Sequence, residues 1–433
     1  MNPTASVGWW RPDAGAAAIP PAILAPAGRR THGRLAYRAL LAFTFVLVLS
    51  PQEWIPVLGA LRIALLAGLV AAAAHLIDRW QRPEPWRTPP EFVLAGCLLA
   101  WTIVTVPLSL WPGGSVAYLT DLYLKSLIVF WLLGRIVNTA ERLYRLGWLL
   151  CLASVPVALT GLVNFGAGEF VGQSARIQGY GTGLAGNPND LALTLALLLP
   201  LTLALLVSAR SMLPRAAAAA SALLSVACVV ATFSRGGFIA LAVVAVLGFA
   251  WVARRYPLSA GSAALAALLV APPLLPEGYA ERVSTTFDVE ADRTGSAQER
   301  VRDMKAAVQL IQEHPIVGAG LGMDVLALNQ ARGATWRSVH DVYLQYGVDL
   351  GLIGMTLFVL LLGSSIRTAW RAEQRARAPG IDPRVAAIAG AVRISLVAFA
   401  VAALFYPVAY YFYFYYLAGL AVSLRTTTRS SQP

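Results

Sequence analysis

Asn189-Asp190-Leu191-Ala192-Leu193-Thr194-Leu195-Ala196-Leu197-Leu198-Leu199-Pro200-Leu201-Thr202-Leu203-Ala204-Leu205-Leu206-Val207-Ser208 decides the fold. The run is long and apolar enough for a helix to cross a bilayer, which takes about 20 residues. Asn187 and Pro188 precede it as a helix-start signal. Runs of the same kind stand near 36–55, 57–77, 91–110, 116–134, 146–164, 216–233, 237–253, 257–275, 342–363, 385–405 and 408–424. Twelve spans are expected, in an all-α polytopic membrane protein.

Composition agrees. Of 433 residues, 58% are hydrophobic and 13% charged, whereas soluble domains are nearer 45–50% and about 25%. A net charge of +12 would suggest nucleic acid in a soluble protein. Here basic residues fall in alternate connections, the pattern of cytoplasmic loops. Arg79, Arg82 and Arg87, then Arg135, Arg142 and Arg145, then Arg210 and Arg215, Arg254 and Arg255, Arg367 to Arg384, and finally Arg425 and Arg429 lie on one side. The opposite connections hold little base: Arg176 in 165–188 and Arg235 in the tight turn 234–236. Both termini are therefore expected in the cytoplasm. The expected organisation is a flexible cytoplasmic tail (1–35), nine spans (36–275), a periplasmic loop (276–341), three spans (342–424) and a short cytoplasmic tail (425–433). The first 35 residues, Ala- and Pro-rich with their bases last, lack the order of a signal peptide. Cys97, Cys151 and Cys228 lie in apolar runs and suggest neither a disulfide framework nor a metal site.

The loop 276–341 has helical spacing over 297–313, at Val301, Met304, Val308 and Ile311, and then Pro315 with Gly318, Gly320 and Gly322 as a stop. It is expected to be folded. The aromatic run Tyr406–Tyr416 reads as a belt at the outer interface.

Four polar side chains fall on the outer face: Arg176, Arg235, Arg300 and His340. Ionisable groups in or near a bilayer are expensive and usually kept for function. Arginine suits phosphate, because its planar fork donates two parallel hydrogen bonds and stays charged. Arg235 either snorkels to the interface or meets such an anion; the turn Phe233-Ser234-Arg235-Gly236-Gly237 leaves little room for an idle charge. Arg176 stands between the same two readings, and Arg302 reads as a solvated loop residue. His340 is either a loop or capping residue, or a base able to take a proton from a hydroxyl near neutral pH. Asp121 and Lys125, at i,i+4, read as a structural pair. Gly181-Thr182-Gly183-Leu184-Ala185-Gly186 matches G-x-G-x-x-G but lacks the βαβ context of a dinucleotide site. No aspartate cluster in the outer loops calls for a divalent metal, and no cofactor is expected.

Four stretches taken together resemble the O-antigen ligase family. They are Arg176-Ile177 through Asn187-Pro188-Asn189 to Leu191-Ala192; Phe233-Ser234-Arg235-Gly236-Gly237; Arg300 through His314-Pro315-Ile316-Val317-Gly318-Ala319-Gly320-Leu321-Gly322; and Val339-His340-Asp341-Val342-Tyr343-Leu344-Gln345 to Gly351-Leu352-Ile353-Gly354. The chain has Asp341 where the family often has Asn, and Met304 where it often has Trp. The resemblance implies a multi-span, lipid-donor (GT-C-like) glycosyltransferase of the inner membrane. It would move a glycan from undecaprenyl diphosphate to an acceptor hydroxyl at the periplasmic face, without a metal. The acceptor would be lipid A core in a ligase, a growing glycan in an O-antigen or exopolysaccharide polymerase, or a protein in an O-oligosaccharyltransferase. Arg176, Arg235 and Arg300 would hold the diphosphate, and His340 and Arg235 would be the catalytic groups. Outside the family, a twelve-span secondary transporter is the rival, although no matching pair of broken helices is visible.

Overall fold

The computed structural model describes residues 33–81, 88–170, 176–179, 183–254, 257–258, 261–262, 275–276, 279, 296–334 and 336–430. Every regular element among them is helical. The principal helices are α1 (Arg34–Leu49), α2 (Ile63–Gln81), α3 (Pro90–Thr105), α4 (Pro112–Ile136), α5 (Ala140–Gly166), α6 (Pro188–Ser208) and α7 (Met212–Ala231). They continue with α8 (Arg235–Ala253), α9 (Ser296–Glu313), α10 (Asp324–Arg332), α11 (Val342–Arg375), α12 (Pro383–Ala402) and α13 (Phe412–Ser430).

Nine of these, α2 to α8, α11 and α12, are long and apolar enough to cross a membrane. The first expected span is present as α1, a shorter helix of 16 residues. The twelfth is α13, whose last turns carry Arg425 and Arg429. Most of the ninth expected span, 257–275, lies outside the described residues, as do Arg82, Arg87, nearly all of the tail 1–35, Gly181 and Thr182, and the first part of the outer loop. The loop helix expected over 297–313 is α9.

The helices divide by burial in a way hydropathy does not foretell. The central apolar windows of α6 and α12 are each 72% buried inside the bundle, whereas that of α2 is 6% buried. All three are greasy, because lipid is as apolar as leucine and no hydrophobic force sorts inside from outside; close packing does. Around α6 stand α5, α7, α8 and α12. Small residues allow the close crossings: a Cβ at Gly237 would lie 2.5 Å from that of Ala192, and one at Gly161 would lie 2.6 Å from the Cys228 sulfur. The segment Tyr406–Tyr416 departs from the expected interfacial belt. Tyr406, Tyr410, Tyr413, Phe414, Tyr415 and Tyr416 are buried in the bundle. Two of the hydroxyls pair there, Tyr415 with Tyr346 at 2.8 Å and Tyr416 with Thr44 at 3.0 Å. A buried phenol that has a hydrogen-bond partner is stable away from water.

Two buried glutamates lock the end that carries the described chain ends. Glu91 accepts from Ser364 (2.8 Å), Thr368 (2.6 Å) and Arg425 (3.3 Å), joining α3, α11 and α13. Glu373 accepts from Arg377 and Arg393, both at 2.8 Å, joining α11 to α12.

At the opposite end, α11 is broken at Gly351, whose φ is 67° and ψ is −174°. The break frees carbonyls, and the glycine turn after α9 supplies donors. Ala319 N donates to Val348 O (2.7 Å) and Gly320 N to Asp349 O (2.8 Å), while Leu352 N donates to Pro315 O (2.8 Å). The approach is so close that a Cβ on Gly351 would lie 2.1 Å from Ile316 O, and one on Gly318 would lie 2.6 Å from Val348 O. Beneath the turn, Ala307, Ile311, Met323, Leu328, Val339 and Val348 form a separate small core. The outer segment is therefore a folded cap seated on a broken helix.

Gly351→Ala combines a positive φ with a collision against backbone. It is expected to lower stability by about 1–3 kcal/mol or more. Gly363→Ala, on the same helix with nothing within 4 Å of the added carbon, should be neutral or stabilise by up to about 1 kcal/mol. Thermal unfolding of both variants in detergent checks this; equal midpoints would contradict the role given to the break.

Candidate active site

Two helix starts lie side by side at the cap end. Asn187 caps α6, its side-chain oxygen accepting from the backbone N–H of Asn189 and Asp190 at 2.9 Å each, with Pro188 in the first turn. Ser234 caps α8 by accepting from Gly237 N (3.2 Å). The α7–α8 connection is so tight that Phe233 takes a φ of 49°, a left-handed conformation rare for a residue with a side chain. Its ring lies against Phe165 and Tyr279.

Asn189 joins the two starts. Its Oδ1 accepts from the Arg176 guanidinium (2.6 Å) and from the Ser234 hydroxyl (2.8 Å). The next residue, Arg235, opens α8 and is 9% exposed. Above Gly236 lies the ring of Tyr406, 2.5 Å from where a Cβ would stand, and the Tyr406 hydroxyl is 3.4 Å from Ser234 Oγ. A helix N-terminus offers unpaired N–H groups and a positive dipole end. With two guanidiniums beside it, the place suits a multiply charged anion such as phosphate.

His340 stands in the extended segment between α10 and α11. Its Nδ1 lies 3.0 Å from Ser338 O, so Nδ1 carries the proton and Nε2 keeps the lone pair, an assignment made from the hydrogen bond. Burial pushes the imidazole pKa down to about 4, and the positive charge of Arg300 pushes in the same direction. Arg337 adds a smaller push, and the bond to Ser338 opposes both. His340 is therefore neutral at pH 7. Arg300 also acts electrostatically on Tyr406, as does Arg176. Arg176 and Arg300 are thus both near enough to Tyr406 to act on it through their charge. All four residues expected from the sequence lie at one end of the bundle.

Other groups are engaged elsewhere or exposed. Arg302 is exposed, Arg337 pairs with Glu299, and Asp341 caps α11 by accepting from Leu344 N (3.0 Å). Asp121 and Lys125 form an exposed pair at 3.7 Å. Gly183–Ala185 is a single 3-10 turn, in which Leu184 O accepts from the Thr194 hydroxyl (2.7 Å). Two members of the site carried no functional signal of their own in the sequence. Asn189 stood in a stretch that carries the resemblance but read by itself as part of a helix start, and Tyr406 looked like an interfacial anchor.

A small apolar recess lies elsewhere, between α6, α8 and α12, lined by Pro200, Leu203, Val244, Gly248, Trp251 and Ala391 among others. Nothing in it can hold a phosphate or move a proton, so it is not the reaction centre.

The His340 imidazole should titrate near pH 4, followed by NMR of the labelled ring in detergent. Arg300→Ala removes a positive charge that disfavours protonation, so the midpoint should rise. A midpoint at the ordinary 6.5 in both proteins would place Arg300 away from His340.

The comparisons with known proteins fall on these elements. A family model described as O-Antigen ligase matches residues 220–359, taking in most of α7, all of α8, the cap and the outer part of α11. Arg235, Arg300 and His340 lie inside the matched span, and Arg176 and Tyr406 outside it. No curated protein matches the chain. Over residues 220–359, within an all-helical membrane architecture, the chain is similar to the O-antigen ligase family.

Proposed function

We propose that this protein transfers a glycan from undecaprenyl diphosphate to an acceptor hydroxyl of lipid A core, at the periplasmic face of the bacterial inner membrane. The observation that carries the reading is Asn189 Oδ1, which gathers the Arg176 side chain and the Ser234–Arg235 helix start at one point, with Arg300 and His340 alongside. That is a site for a diphosphate next to a base. The end with Glu91 and Arg425 would face the cytoplasm, in keeping with its wealth of arginine.

In the reaction, the acceptor O–H gives its proton to His340 Nε2 while its oxygen attacks the anomeric carbon. The bond from that carbon to the diphosphate oxygen breaks, and its electron pair leaves on undecaprenyl diphosphate. Arg176, Arg235 and Arg300 stabilise the charge that develops. Displacement in one step inverts the anomeric centre. A base with a pKa of about 4 is weak, and the bound donor corrects this. Its negative charges offset the field of Arg300, so the imidazole pKa moves back toward 6.5. The apolar recess on α6 and α8, deeper in the bundle below Asn189 and Arg235, suits part of the polyprenyl tail.

The test is transfer by purified protein, paired with the glycan profile of a deletion strain. His340→Ala should lower the rate about 10²–10⁴-fold, and Arg235→Ala about 10²–10³-fold. Arg235→Lys should not restore the wild-type rate, since an ammonium lacks the two-pronged geometry. The deletion strain should show bare lipid A core, with long chains held on undecaprenyl diphosphate. Single repeat units would make the protein a polymerase with the same site, and an unchanged profile would remove the lipopolysaccharide reading.

A further inference from the structure

Behind His340 lie two buried carboxyls that the proposed reaction does not use. Asp324, in the first turn of α10, is 2% exposed, and Asp349, beside the break in α11, is 0% exposed. Asp324 Oδ2 accepts from Val339 N (2.9 Å), the residue before His340. The side chains of Ser338 and Gln345 also hydrogen-bond Asp324. Ser338 is the residue whose carbonyl holds His340 Nδ1. Gln345 in turn accepts from Ala409 N (3.2 Å), three residues from Tyr406. Asp349 Oδ2 accepts from Gly322 N (3.0 Å) and so holds the other end of the glycine turn. The residues on either side of His340, Ser338 and Val339 before it and Gln345 after it, are thereby tied to Asp324.

We infer that Asp324 is a positioning residue for His340. Its carboxylate grips the Ser338–Val339 segment, with Asp349 bracing the glycine turn behind it, and so sets where the imidazole meets the acceptor hydroxyl. The inference rests on His340 being the base proposed above. A helix cap alone would need one acceptor oxygen facing α10. The carboxyl does accept from the Val325 N–H of α10, but it also turns to Val339, Ser338 and Gln345, three groups on the His340 side of the cap.

Burial raises the Asp324 pKa to about 6, although its hydrogen bonds pull it down. The ionisable groups facing it are Asp349 of α11, Tyr118 of α4 and Tyr411 of the α12–α13 connection. All are acids, so bringing a second negative charge close is unfavourable. As the pH falls through about 6, Asp324 gains a proton and its grip on the three donors weakens. The free enzyme then loses its aligned imidazole two pH units above the point, about 4, at which His340 itself becomes charged.

The experiment measures kcat/KM for the lipid-linked donor against pH, because this ratio reports ionisations of the free enzyme. It uses full-length protein in detergent with wild type, Asp324→Asn, Asp324→Ala and His340→Ala. The wild-type acid limb is expected near pH 6. In Asp324→Asn, whose amide oxygen still accepts from Val339 N but does not titrate, the limb should move down to about pH 4. Asp324→Ala should lower kcat about tenfold or more with little change in donor KM, and Asp324→Asn should restore most of that loss. A limb that stays in place in Asp324→Asn overturns the inference, whether or not Asp324→Ala folds; so does an unchanged kcat in a folded Asp324→Ala. His340→Ala with undiminished transfer would instead overturn the function proposed for the site.

Discussion

Backbone groups away from water must find partners, and the cap end of this protein is arranged around that constraint. A helix broken at Gly351 exposes carbonyls that would each cost several kcal/mol if left bare in an apolar setting. The turn Gly318–Gly322 answers with its own N–H groups and has to come within van der Waals distance to do so. Once it is seated, α9 and α10 pack over the small core around Ile311 and Leu328. The segment before α11 then has one course open to it, which brings His340 over the bundle. The placing of His340 follows from a need to satisfy main-chain carbonyls.

The arginines arrive by a different route. Arg176 and Arg235 sit at or beside the start of a membrane helix, where donors already lack partners and the dipole favours anions, and Arg300 comes from the cap helix α9. Tight packing of α6 against α8, allowed by Gly237 facing Ala192, turns two separate helix starts into one anion site. Asn189 then serves both, since a carboxamide oxygen has lone pairs for the guanidinium and the hydroxyl at once.

Much of this was legible in the sequence because caps and turns carry local chemical signatures. Asn187-Pro188, Ser234-Arg235-Gly236-Gly237 and His314 to Gly322 each announce a helix start or stop, and the structure has them there. Lateral order was not legible. Nothing in the residues of α2 or α12 tells that one faces outward and the other lies at the centre, since both are apolar throughout and packing sorts them. Tyr406 was hidden for a similar reason: a phenol suits a membrane interface and a hydrogen-bonded interior equally well. Asp349 sat inside what reads as a span, eight residues after Asp341, with nothing local to mark it as the brace for a distant turn.

The break in α11 has one more consequence. A continuous helix transmits tilt along its length, but one interrupted at Gly351 does not. The outer piece, Val342 to Leu350, is bonded to the cap and to Ala403 O through Val342 N, while the inner piece, Leu352 to Arg375, spans the bilayer. Where lipid thickness differs, spanning helices adjust by tilting. Here the break gives the two pieces separate directions, and the bond from Leu352 N to Pro315 O ties the inner piece to the cap at that one point of change.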